Sequence, residues 1–69
     1  MNDSAALAAR LARLRHDLAN PLSAVLTEAQ LLLLDADRLP AEAVAGLRNI
    51  EAAATRMRVL LREASGSPS

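Results

Sequence analysis

Asp35-Ala36-Asp37-Arg38-Leu39-Pro40 is where the apolar periodicity of this 69-residue chain lapses, and its reading as a turn decides the fold. The stretch is short and polar, and Pro40 followed by Glu42 has the character of the first turn of a new helix. Upstream, Leu7, Leu11, Leu14 and Leu18 recur at spacings of four, three and four, the seam of an amphipathic helix with Asp3 or Ser4 as its N-cap. The seam continues as Leu22, Val25, Ala29 and Leu32, with one interval of four where three is due. That stutter falls beside Pro21, which removes a backbone donor and is expected to bend the helix. Downstream, Ala43, Leu47, Ile50, Ala54, Met57, Leu61 and Ala64 keep an unbroken four-three alternation, closed by Ser65-Gly66-Ser67-Pro68.

The spacing therefore predicts an all-α chain: helix 1 over about 4–34, a turn over about 35–39, helix 2 over about 40–64 and a flexible tail over 65–69. One domain of this size buries too little surface to be comfortably stable alone. Cysteine is absent, so no disulfide helps, and a single histidine makes no structural metal site. Val44, Leu60, Leu26 and Leu33 widen each apolar face beyond what one neighbouring helix covers. The expectation is an antiparallel hairpin that homodimerises into a four-helix bundle.

Composition narrows the function. The chain is 52% hydrophobic with no aromatic residue, which suits helices packed through Leu, Ala, Val, Ile and Met. Eight arginines balance eight carboxylates, so the excess positive charge of a nucleic-acid binder or of a protein that adheres to anionic membranes is lacking. Arg10, Arg13 and Arg15 read as a solvated face. No apolar stretch reaches the roughly 18 residues of a membrane span, and Met1-Asn2-Asp3-Ser4 lacks the basic and apolar regions of a signal peptide, so a cytoplasmic location is expected, as a free protein or as the cytoplasmic part of a larger receptor.

His16 is the single histidine. At about 100° per residue it lies roughly 160° from the mean direction of the leucine seam, on the solvent face. Asn20 follows one turn later near the same azimuth, and Ser23, Thr27, Leu31 and Leu34 continue down that face. Asp17 lies to the side of His16, about 100° round. A neutral imidazole is a competent nucleophile toward phosphorus, and a carboxylate that holds the proton on its other nitrogen fixes the tautomer and stabilises the developing cation.

The run His16-Asp17-Leu18-Ala19-Asn20-Pro21-Leu22 resembles the phosphoacceptor box of the HisKA-type dimerisation and histidine-phosphotransfer domain of sensor histidine kinases. Ile50, Ala53, Ala54, Arg56, Met57, Leu60 and Leu61 look like the second-helix pattern of the same domain, so the resemblance covers nearly the whole chain. It implies that His16 accepts phosphate, that Asp17 is the acid that orients it, that Asn20 positions a water for phosphatase activity, and that Pro21 is the site of a helix kink. It also implies three partners: a second copy, a catalytic domain that binds ATP, and a response-regulator receiver domain docked on Ser23, Thr27, Leu31 and Leu34. Those two leucines otherwise pack within a splayed bundle.

The resemblance puts ATP and Mg2+ on the partner domains and no cofactor on this chain, whose two glycines cannot make a glycine-rich ATP site. Two positions depart from the pattern. Ala19 stands where an arginine is common, and Arg15 precedes the histidine where a small polar residue is frequent, which makes Arg15 the candidate for the missing charge. Two rival readings remain at this point: a stand-alone histidine-phosphotransfer relay, and a dimeric scaffold that is never phosphorylated.

Overall fold

The computed structural model describes residues 2–66. It contains two long helices, α1 (Asn2–Leu33) and α2 (Ala41–Gly66), separated by a 3-10 turn at Ala36–Arg38, with no strand among the described residues. Asp3 lies inside the first turn of α1, where its charge complements the helix dipole, in place of the cap expected of it. The second helix continues through Gly66, slightly beyond the expected end at 64; the remaining tail positions, 67–69, lie outside the described residues.

The connection is built by progressive tightening. Leu34 N–H donates to the Leu31 carbonyl at 3.2 Å and Asp35 N–H to that of Leu32 at 3.1 Å, three-residue bonds that close the last turn of α1. Arg38 and Leu39 repeat the pattern onto Asp35 and Ala36. Leu39 is then extended (φ −103°, ψ 149°), the conformation a following proline imposes. Pro40 stands just ahead of α2 instead of within it, and its carbonyl accepts from both Ala43 and Val44, which starts the helix. Among the described residues no backbone takes a positive φ, so the reversal needs no glycine.

The helices run antiparallel, because residues late in α1 meet residues early in α2. Leu22 and Leu26 pack against Ala54 with Leu61 alongside, and Gln30 Nε2 donates to Glu51 Oε2 at 3.3 Å nearer the turn. Among the described residues, Leu22, Leu26, Ala29 and Ala54 are the buried core, Ala54 at 2% exposure. Small side chains at Ala29 and Ala54 allow close approach of the two backbones. Four residues make a thin core. The molecule measures 57 × 19 × 15 Å, with a Cα radius of gyration of 16.3 Å where a compact chain of this length would have about 11 Å.

The apolar stripe read from the sequence divides in space. Arg15, Ala19, Leu22, Leu26, Ala29 and Leu33, at strict four-three spacing, form the face of α1 turned toward α2, and all six are buried or half-buried. Leu11, Leu14, Leu18, Val25 and Leu32 lie about 80° to one side and are exposed. The stutter between Leu18 and Leu22 is thus no packing defect: the two leucines belong to neighbouring faces. Leu26, expected at the margin of the stripe, is at the centre of the core. α1 is helical without interruption through Pro21, whose ring nitrogen has no proton to give the carbonyl of Asp17.

The same division holds on α2. Leu47, Ala54 and Leu61 face α1, whereas Ile50, Met57, Leu60 and Ala64 are exposed on the side that carries the α1 leucines. Gly46 begins this second stripe, and a methyl group added to it would meet nothing within 4 Å. Gly46→Ala should therefore raise unfolding free energy by about 0.5–1 kcal/mol, the helix-interior penalty of glycine, read as a higher midpoint in urea. No described helix is long and apolar enough to cross a membrane.

Candidate functional site

Two grooves flank the line where the helices touch, and they differ in character. On one side, Leu18, Pro21, Leu22 and Val25 of α1 and Met57, Leu60 and Leu61 of α2 line a wholly apolar groove of about 440 Å³. It is extended toward the open end by Leu11, Leu14 and Ala64 and toward the turn by Leu32, Leu47 and Ile50. On the other side lies a groove of about 420 Å³ lined by Ala12, Arg15, His16, Ala19 and Ser23 of α1 and by Leu61, Arg58 and Arg62 of α2.

His16 is exposed and opens on this second groove. Its azimuth lies about 100° from the face of α1 that packs on α2, far enough to stay in solvent and close enough to share a rim with the neighbouring helix. Helix α1 fixes its position because Ala19 and Leu22, the residues that follow on the inner side, hold the segment against α2. Ser23, two turns on, lines the same groove.

The other site residues sit further round. Asn20, one turn from His16, and Thr27, about three turns on, are exposed near the same azimuth, and neither lines the groove. Leu31 is 53% exposed, and Leu34, in the turn just past the end of α1, is 78% exposed. With Ser23 and Thr27 they form a strip running from His16 to the turn. Asp17 is exposed about 100° beyond His16, and no hydrogen bond joins the two side chains among the described residues. No group of three His, Cys, Asp or Glu side chains suited to a metal ion occurs among the described residues.

Arg58 and Arg62 were not anticipated at this site. Their i, i+4 spacing puts both on one face of α2, and the turn sets the register that brings them to His16: Asp37, the middle of the 3-10 segment, is equidistant in sequence from His16 and Arg58. Ala19 contributes only a methyl group to the groove floor, so the cations beside His16 come from the residue before it and from the opposite helix.

Comparison with family models, with curated proteins and with solved structures gives no match for this chain.

Proposed function

We propose that the chain is the phosphoacceptor and dimerisation module of a two-component sensor histidine kinase, working in the cytoplasm. The observation that supports this reading is the division of labour between the two flanks of the hairpin. One flank presents a single imidazole to solvent on a rigid helix, and the opposite flank carries an uncovered apolar stripe contributed by both helices.

The apolar flank takes a second copy of the chain. The hairpin exposes 5448 Å², against about 4,200 Å² for a compact monomer of its 7.3 kDa mass. The excess, about 1,200 Å², exceeds the roughly 800 Å² that each partner buries in a standard interface. Each helix then has its two neighbours, one within the hairpin and one across the dimer, as a four-helix bundle requires. His16 stays outside on the far flank of each subunit.

In the first reaction an unprotonated ring nitrogen of His16 attacks the γ-phosphorus of ATP held by a separate catalytic domain. The N–P bond forms, the bond from phosphorus to the β,γ-bridging oxygen breaks, and ADP leaves. Asp17 accepts a hydrogen bond from the other ring nitrogen as positive charge develops, which requires its side chain to swing toward His16. In the second reaction a carboxylate of a receiver domain attacks the same phosphorus, the N–P bond breaks, and neutral His16 is restored. Magnesium for this step belongs to the receiver. The strip Ser23, Thr27, Leu31 and Leu34 beside the imidazole is the docking surface for the receiver. Positioning accounts for most of the chemistry here, and a rigid helix supplies it.

A chain that carries radiolabelled phosphate on His16 should pass it to the aspartate of a receiver domain, converting an acid-labile label into an alkali-labile one. Label that stays on the chain with every receiver tested would count against the assignment. In a separate hydrolysis, Asn20 orients a water that attacks the receiver's aspartyl phosphate, breaking the O–P bond and releasing inorganic phosphate with the free carboxylate. Asn20→Ala should slow receiver dephosphorylation about 10- to 100-fold while leaving His16 phosphorylation unchanged, as measured by loss of the receiver aspartyl phosphate over time. Equal loss of both activities would instead mean that Asn20 supports the histidine itself.

A further inference from the structure

The groove that holds His16 gathers three guanidinium groups, Arg15 from α1 and Arg58 and Arg62 from α2, and no carboxylate lines it. A lining of this kind suits an anionic group. Arginine forks match the oxygens of a phosphoryl group, and charge-assisted hydrogen bonds are the strongest available to a side chain.

We propose that Arg58 and Arg62, with Arg15, form a cradle for the phosphoryl oxygens on His16, so that α2 supplies the cations that stabilise the group arriving on α1. This rests on the reading of His16 as the phosphate acceptor and adds the positioning residues for it. Ala19 serves the cradle by its small size: a bulkier side chain there would close the groove between the imidazole and α2. Arg15, half-buried at the line where the helices meet, borders both the cationic groove and the end of the apolar one. Its guanidinium is thereby held near the imidazole by the packing of its stem.

Phosphoramidate, a small donor that needs no kinase, tests the cradle on the full chain. The imidazole nitrogen attacks phosphorus, the N–P bond to the donor breaks, and ammonia departs with the proton, leaving phosphohistidine. Mass spectrometry should find one phosphate on His16. Its rate of formation should fall about tenfold in the Arg58→Gln/Arg62→Gln double variant, and its hydrolysis should quicken. Arg58→Lys/Arg62→Lys should recover part of the rate, because charge remains while the fork is lost. Arg48→Gln/Arg56→Gln, equal in charge change but outside the groove, should label at the wild-type rate.

A wild-type chain that stays unlabelled while a free histidine peptide reacts would remove the phosphoacceptor reading itself. Labelling at His16 with equal rates in wild type and Arg58→Gln/Arg62→Gln would overturn the cradle and leave that reading standing. Equal slowing in the Arg48→Gln/Arg56→Gln control would also overturn it, by tracing the effect to overall charge. Helix content by circular dichroism should be the same in all variants, which separates lost positioning from lost folding.

Discussion

Leu18→Asp should convert the protein from a dimer to a monomer across the micromolar range, as measured by sedimentation equilibrium. Leu18 is 47% exposed in the single hairpin, so an aspartate there meets water on one side and costs the isolated fold little. In the bundle the same position lines the apolar groove with Val25, Met57 and Leu60, and each subunit would have to bury an unpaired carboxylate. An uncompensated charge in such a setting costs several kcal/mol, and symmetry doubles it, so the dissociation constant should rise by at least about a thousandfold. Helix content should fall with it, because four buried side chains do not hold two long helices together unaided. Leu34→Asp provides the contrast. Leu34 is more exposed than Leu18 and lies on the flank with His16, so its substitution should leave the dimer intact. A Leu18→Asp protein that sediments as a dimer would show that another surface joins the subunits.

His16→Gln should abolish phosphate uptake with no measurable change in fold. Glutamine keeps the size and the helix propensity of the position, and His16 is exposed, so the change in stability should stay within about 0.5 kcal/mol. A carboxamide nitrogen has its lone pair in the amide π system and does not attack phosphorus, so the loss is limited only by detection. Partial loss would locate the acceptor elsewhere. No second imidazole exists in the chain to take over the role.

Two helices and the break between them were legible because each carries its own period and because Pro40 constrains the residue before it. The exposure of His16 followed from one angle on one helix. What periodicity could not supply was which leucines meet α2. A heptad stripe merges two adjacent apolar faces into one broad band, and the separation of Leu22 from Leu18 depends on where α2 lies, about 80° away from the outer stripe. The apparent stutter beside Pro21 arose from following the band from one face to the next.

Arg58 and Arg62 escaped notice for a related reason. Their spacing was visible, but their place beside His16 depends on the length of the 3-10 turn and on the seating of Leu22 and Leu26 against Ala54, relations between segments far apart in sequence. Counting outward from Asp37 would have found them. The arginines that line the groove with His16 come mainly from across the hairpin, Arg15 being the one from α1.

Incubation of the chain with γ-labelled ATP and histidine-kinase catalytic domains added in trans tests whether a paired hairpin presents one imidazole for reversible phosphorylation. One phosphate per chain is expected, stable in alkali, lost in acid, mapped to His16 and absent from His16→Gln. A chain that takes up no label from any such domain, or that labels equally after His16→Gln, would contradict it.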